Sequence, residues 1–199
     1  MEIKWHGKTC FEVKDRDRVV VINPPKGIKI SGTVVLKSNP GESGEVQGAV
    51  KIFDLPGEYE IKDIPIMGFN AWTKARSKEE KEGKGASTVI FYFEIGDVKF
   101  CHLGDLGHAL MDDTVKEIED VDVLMMNMGS DSNLDSKKTM EVIESLEPRV
   151  VIPMGEGDFK SALKDLGADK IEPVNSYVIK SRSELPEDKR LYVLLNKTP

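Results

Sequence analysis

The sequence predicts a layered α/β fold with two β-sheets inside and helices outside. Three observations carry that prediction. The first half is a run of short apolar strands joined by tight turns. The second half changes rhythm, and helical and strand patterns alternate. Between them lies Val98-Lys99-Phe100-Cys101-His102-Leu103-Gly104-Asp105-Leu106-Gly107-His108, which starts as a buried strand and ends as a loop. An acid bracketed by glycines at a strand's carboxyl end is a common setting for an active-site loop. Asp105 with His102 and His108 nearby points to a metal site or a general base. The competing reading is a helix N-cap with two incidental histidines, because a helix is predicted to follow from about Asp113.

Taken in order, strands are predicted at Glu2–Trp5, Cys10–Val13 and Val19–Ile22, with His6-Gly7-Lys8 and Lys14-Asp15-Arg16-Asp17 as turns. His6 is expected at an exposed strand end. Thr33–Leu36 is a further apolar strand. It runs into Lys37-Ser38-Asn39-Pro40-Gly41-Glu42-Ser43-Gly44, a loop rich in turn residues. Lys51–Asp54 reads as a strand, Leu55-Pro56-Gly57-Glu58-Tyr59 as a turn into Glu60–Ile61, and Asp63 as the start of a strand through Met67. Glu58 is expected to accept from backbone N–H groups in that turn. Ala71–Ala86 mixes both signs of charge with glycine and reads as a solvated loop. Thr88–Ile95 and Val98–Cys101 form a hairpin around Gly96-Asp97.

Beyond the central loop, Asp113–Ile118 is predicted helical, with acids in its first turn where the helix dipole favours them. Val121–Met126 reads as a buried strand. Leu134–Leu146 is an amphipathic helix in which Met140, Ile143 and Leu146 recur at helical spacing, with Asp135 or Ser136 as the cap and Pro148 as the stop. Val150–Ile152 is a strand, Asp158–Leu166 a helix closed by Gly167, and Ser176–Ile179 and Leu191–Leu195 are the last strands. The strand ends at Lys8, Ser38–Ser43, Thr73, Asp105 and Gly155 are the expected functional loops.

Bulk properties narrow the function classes. A chain of 199 residues is expected to form one domain, 1–199, with a proper core. The net charge of -7 argues against general affinity for nucleic acid or an anionic membrane. No apolar run approaches a membrane span, and the start reads as a strand rather than a signal peptide, so a cytoplasmic location is expected. Cys10 and Cys101 sit inside apolar strands and are expected to be buried free thiols. No nucleophile elbow or P-loop pattern occurs. Ser130-Asp131-Ser132-Asn133-Leu134-Asp135 resembles part of a calcium loop but lacks the required glycine and terminal glutamate.

Several segments carry a family resemblance. Trp5-His6-Gly7-Lys8-Thr9-Cys10-Phe11 resembles the W-x-G-[HQ]-[SA]-C-F opening of the metallo-β-lactamase superfamily. Pro56-Gly57-Glu58-Tyr59-Glu60 and Cys101-His102-Leu103-Gly104-Asp105-Leu106-Gly107 are similar to segments of its small Zn-dependent hydrolase-like branch, related to ascorbate-6-phosphate lactonase. Val121-Asp122-Val123-Leu124 and Glu147-Pro148-Arg149-Val150-Val151-Ile152-Pro153-Met154 resemble later family strands. The resemblance runs over essentially the whole chain. It implies an αβ/βα four-layer sandwich and chemistry in which Zn or Mn, held mainly by histidines, acidifies a bound water.

The ligand positions depart from that pattern. Where the family's T-H-x-H-x-D-H loop is expected stands Lys37-Ser38-Asn39-Pro40-Gly41-Glu42-Ser43, so Ser38, Pro40 and Ser43 replace histidines and Glu42 the aspartate. Thr73 aligns with a later histidine and Gly155 with the last one. The early D-P turn is Asn23-Pro24. Among the direct ligands Asp105 alone remains. Hydroxyls are weak zinc donors, and proline and glycine offer none. Asp105 and Glu42 could at most hold a hard ion, and Lys8 and Lys37 near the cleft would oppose one.

The expectation is therefore a metallo-β-lactamase-like pseudoenzyme without a cofactor, acting as a binding, regulatory or oligomer-partner protein, with the partner unidentified and a homo-oligomer or related subunit among the options. Asp105 then survives by capping its loop through backbone hydrogen bonds, His102 by hydrogen-bonded packing, and His108 at the surface or helix start. The alternative is a hydrolase of altered chemistry, using Asp105 and Glu42 and assisted by His108, on a phosphoester or lactone. Nucleic-acid binding through the basic Lys74–Lys84 stretch is the least favoured class.

Overall fold

A computed structural model describes residues 1–39, 44–74, 84–168 and 170–199. Chain order begins with β1 (Glu2–Gly7), β2 (Cys10–Asp15), β3 (Arg18–Ile22), β4 (Val34–Leu36) and β5 (Lys51–Phe53). Next come β6 (Gly57–Ile61), β7 (Ile64–Lys74), β8 (Lys84–Ile95) and β9 (Val98–His102). The remainder is α1 (Asp112–Glu117), β10 (Val123–Asn127), α2 (Ser136–Leu146), β11 (Val150–Met154), α3 (Lys160–Asp165), β12 (Tyr177–Val178), a 3-10 turn at Arg182–Glu184 and β13 (Leu191–Tyr192). One sheet runs β12-β1-β2-β3-β4-β5 and the other β13-β11-β10-β9-β8-β7-β6.

The order follows from connection length. Tight turns join β1–β2–β3 and β8–β9 antiparallel. Helical crossovers make β9, β10 and β11 parallel, as such connections require. These parallel strands are buried on both faces: every residue of β10 and β11 is buried, the near-continuous apolar pattern that two-sided burial demands. Inner faces meet in a core that includes Phe11, Ile22, Leu36, Phe91, Phe93 and Phe100. Phe93 and Phe100 stack with centroids 5.0 Å apart. Burying one such side chain is worth about 1.5–3 kcal/mol. A second core lies between Cys101, Leu124, Met126 and Val151 of the second sheet and Val142, Ile143 and Leu163 of the helices.

The two-sheet α/β sandwich expected from the sequence is present, and among the described residues the outer face of the first sheet is covered by irregular chain, with Ile30, Ile28 and Val46 packed on Cys10 and Val21. Pro24 and Pro25 together with Gly27 and Gly32 break the connection between β3 and β4 too often for a helix. The predicted turn at Gly57–Tyr59 is already strand β6, and Glu58 lies exposed there opposite Met67 rather than accepting from turn amides. The predicted solvated loop from Ala71 is strand as far as Lys74, and β8 begins at Lys84, because the pairing Ala71 to Thr88 continues the hairpin ladder outward. Residues 75–83 lie outside the described residues. Met140 is 41% exposed; the buried stripe of α2 runs through Thr139, Val142, Ile143 and Leu146 instead. Asp135 is the cap, its carboxylate accepting from Lys138 N–H at 2.9 Å.

Candidate functional site

All the strand ends singled out above, so far as they are described, lie on one rim of the sandwich. Three local clusters make up that rim. Pro40, Glu42 and Ser43 lie outside the described residues.

The central cluster ties the two sheets together. Ser38, fully buried, follows β4. Its N–H donates to Asn23 Oδ1 at 2.7 Å, and Asn23 Nδ2 donates to Thr9 Oγ1 at 3.1 Å. Its carbonyl accepts from Val89 N–H at 2.7 Å and from the Thr88 hydroxyl at 3.2 Å. Its own hydroxyl faces inward, 3.4 Å from His102 Nδ1. His102, also fully buried, accepts at Nδ1 from Gly104 N–H at 3.1 Å, and its Nε2 donates to the Thr9 carbonyl at 3.0 Å. That pattern assigns a neutral ring protonated at Nε2. Burial pushes its pKa down to about 4. The expected packing role for His102 matches this geometry.

Asp105 leaves the rim half-buried. Its carboxylate accepts from Asn39 Nδ2 at 2.5 Å, its backbone N–H approaches Thr88 Oγ1 at 3.5 Å, and its carbonyl accepts from Asn133 Nδ2 at 3.1 Å. The expected backbone cap is thus replaced by a side-chain partner, because Asn39 comes across from the first sheet. Asn39 Oδ1 is buried with no partner of its own among the described residues.

A second cluster surrounds Gly155. Lys8 and Gly155 form an isolated bridge, with Gly155 N–H donating to the Lys8 carbonyl at 3.0 Å. The Lys8 ammonium lies 2.7 Å from Glu156 Oε1, outside in solvent. Its pKa is raised, first by Glu156 and further by the charges of Asp131 and Asp105. Gly155 has φ +120°, a conformation only glycine adopts without strain. A Cβ built there would lie 2.3 Å from Asn127 Oδ1 and 2.7 Å from Asp131 Oδ1. Asn127 and Asp131 therefore fill the space a side chain at 155 would enter. Asp131 is held by Glu156 N–H at 2.7 Å, Asn127 Oδ1 by Gly129 N–H at 3.0 Å. Asn127 Nδ2 is left buried without a partner among the described residues.

The third cluster is Thr73, Trp72 and His108. Thr73 is buried at the end of β7. Gly107 N–H donates to the Trp72 carbonyl at 2.9 Å, and a Cβ at Gly107 would strike Thr73 C at 2.4 Å, so backbone packs on backbone. His108 is neither exposed nor at a helix start. It stacks on Trp72 at 4.0 Å between centroids, accepts from Trp72 N–H at 3.3 Å, and α1 begins only at Asp112. His6 is buried rather than exposed, with Nε2 3.4 Å from Glu12 Oε2, and it holds the Glu12 carboxyl below its ordinary value. Cys10 and Cys101 are buried free thiols. Burial pushes Cys10 up to about 12 and Cys101 up as well, so neither supplies a thiolate.

The family's metal can be weighed against this donor set. Among the described residues no group of three His, Cys, Asp or Glu side chains converges on one point. Ser38 and Thr73 offer buried neutral hydroxyls, Gly155 offers nothing, and beside it Asn127 Oδ1 already accepts from Gly129 N–H. The described residues do not fit a zinc centre, which takes three good nitrogen, sulfur or carboxylate ligands. Thr88, Asn127 and Glu156 are not among the site residues expected from sequence, whereas Asn39 lies inside the expected loop Ser38–Ser43 and Asp131 inside the run that resembles part of a calcium loop. Asn127 carries a usable signal, a polar side chain closing an otherwise apolar strand.

Comparison with known proteins gives a consistent family picture. A family model described as a beta-lactamase superfamily domain matches residues 2–155. A UPF0173 metal-dependent hydrolase of Methanopyrus kandleri is 26% identical, over 89% of this chain and 99% of that protein. A UPF0173 protein of Pyrococcus abyssi is 24% identical, over 80% of this chain and 85% of its own. A solved structure from Thermotoga maritima, assigned as a Zn-dependent hydrolase of the metallo-beta-lactamase superfamily, superposes with a TM-score of 0.77 at 28% identity, over 98% of this chain and 97% of that one. Igni18, a metallo hydrolase from Ignicoccus hospitalis, has a TM-score of 0.62 at 15% identity, over 90% of this chain and 99% of its own, and speaks for the fold alone.

Proposed function

The chain belongs to the beta-lactamase superfamily, and from that premise we propose that it uses the fold without the family's zinc chemistry, as a non-catalytic binding, regulatory or oligomer-partner protein. The observation that carries this reading is the filled corner at Gly155, where Asn127 Oδ1 lies 2.3 Å from the position of a Cβ. A ligand side chain at that strand end would have to displace two hydrogen-bonded polar groups. The inward-facing Ser38 hydroxyl and the neutral His102 support the same reading, since both are spent on joining the sheets. Ser38, Thr73 and Gly155, together with Pro40, Ser43 and Glu42, are on this proposal the remnants of a ligand set, and Asp105 a surviving corner. Among the described residues no helix is long and apolar enough to cross a membrane, and the proposal places the protein in the cytoplasm as a single domain.

One observation favours a second reading. The unpartnered carbonyl oxygen of Asn39 lies beside the Asp105 carboxylate. Two hard oxygens there suit Mg²⁺ or Ca²⁺ better than zinc, and Glu42 is the further donor that the sequence offers. A hydrolase of altered chemistry on a phosphoester or lactone would start from that pair. The Methanopyrus kandleri relative's name as a metal-dependent hydrolase agrees with this alternative.

Equilibrium dialysis against Zn²⁺, Mn²⁺ and Mg²⁺ followed by elemental analysis separates the two. The first reading expects well under one ion per chain, unchanged by Asp105→Ala. A stoichiometric ion lost in Asp105→Ala, with turnover of a phosphodiester or lactone, would replace it by the second.

A further inference from the structure

We propose that a groove beside Trp5, away from the strand-end cleft, binds a small amphipathic carboxylate: an alkyl or arylalkyl chain ending in –CO₂⁻. The groove lies between the end of β1, the turn into α3 and the C-terminal segment, and measures about 650 Å³. Small-molecule sites typically span roughly 300–1,000 Å³.

The groove is apolar along its floor. Trp5 and Phe159 meet edge to face with centroids 5.8 Å apart. Leu163 and Leu195, both buried, and the half-buried Ile171 complete the surface. An alkyl chain laid along Trp5, Phe159, Leu163, Ile171 and Leu195 leaves water for contact with apolar side chains.

The rim is cationic in a chain whose net charge is -7. Lys160, Lys170 and Lys197 line it, against Asp158 and Glu172. Asp158 is engaged already: its carboxylate accepts Lys160 N–H at 2.8 Å and lies 3.9 Å from the Lys160 ammonium. Lys170 and Lys197 make no ion pair among the described residues. The Lys197 stem is also held in place, lying against the end of β1 so closely that a Cβ at Gly7 would come within 2.9 Å of its Cε. Two uncommitted ammonium groups over an apolar slot match a carboxylate head with an apolar tail, and they repel an amine with the same tail. Among the described residues of the lining, Glu172 opposes them.

Occupancy is readable at Trp5. Its Nε1–H donates to the Lys8 carbonyl at 2.8 Å, the same oxygen that accepts Gly155 N–H. The proposal does not depend on whether the cleft holds metal, so either can fail without the other.

The test is calorimetric titration of the full chain with sodium decanoate below its micelle concentration, with decylammonium as the charge-inverted control. Saturable one-to-one binding of decanoate, and much weaker binding of decylammonium, is expected. The indole emission should shift on binding in Trp72→Phe and stay unchanged in Trp5→Phe. Lys170→Glu with Lys197→Glu should weaken decanoate by about tenfold, since each exposed charge contributes modestly. This double variant changes only exposed side chains, so that arm stands even if Trp5→Phe does not fold. Absence of saturable binding at millimolar decanoate, equal affinity for the two amphiphiles, or unchanged affinity in the double variant overturns the proposal.

Discussion

His102 Nε2 lies 3.0 Å from the carbonyl oxygen of Thr9, a residue 93 positions earlier in the chain and in the turn between β1 and β2 of the opposite sheet. With Nδ1 accepting from Gly104 N–H and facing the Ser38 hydroxyl, the ring works only in its neutral form. Protonation would put a charge in the core and turn an acceptor into a donor against a donor.

A pH dependence follows. The folded value of about 4 lies below the roughly 6.5 of an unfolded histidine. Between those values the unfolded chain binds more protons, so stability rises with pH across that window. The His102 contribution is fully present above about pH 6.5, is lost as pH falls toward 4, and amounts to about 3 kcal/mol. Urea denaturation at pH 7 and pH 4.5, compared with His102→Gln, isolates it from the carboxylates. Equal pH slopes in the two proteins would refute the assignment.

Gly155→Ala should destabilise the fold by about 2–4 kcal/mol, combining a strained backbone conformation with overlap against Asn127 and Asp131. Adding Asn127→Ala should recover part of the steric loss and none of the dihedral strain. Urea midpoints measure both. A silent Gly155→Ala would mean that the corner is open after all.

Asp122 is fully buried at the opposite ends of the strands. It accepts from Arg182 Nε at 2.9 and 3.0 Å, from Lys99 N–H at 2.9 Å, and lies 3.3 Å from Arg149 Nε. Asp122→Ala leaves that amide unsatisfied and two guanidinium groups without their acceptor, at a cost of about 3 kcal/mol. Thermal melting should fall by roughly 10 °C. Arg182→Met, whose side chain is partly exposed, should cost much less. A loss equal to that of Asp122→Ala would place the whole effect in the Arg182 pair.

Reading the chain alone was enough for the strand order of events, because alternation, turn residues and glycine punctuation are local. Val98 to Cys101 as a strand into a glycine-bracketed loop, the Gly96-Asp97 hairpin and the capped helix before Pro148 all rest on contacts within a few residues. The resemblance that pointed to the superfamily rests on the same short segments. Local preference gives way where a partner on another strand intervenes. His6 looked like an exposed turn residue but pairs with Glu12 across a hairpin. His108 looked like a helix start but stacks on Trp72. The charged segment from Ala71 stays in strand to Lys74 because β8 lies beside it.

Within the site the division is sharper. Sequence by itself determined which side chains are available at the rim: one acid at 105, hydroxyls at 38 and 73, no side chain at 155. Tertiary structure alone decided what they do, because hydrogen-bond partners on this rim are separated by tens of residues. Asn39 reaches Asp105 across the two sheets, His102 spends both nitrogens on joining them, and Asn127 with Asp131 takes up the volume beside Gly155. Composition fixes the donors. Only the packing of two sheets against each other fixes which lone pairs and protons remain to meet a ligand.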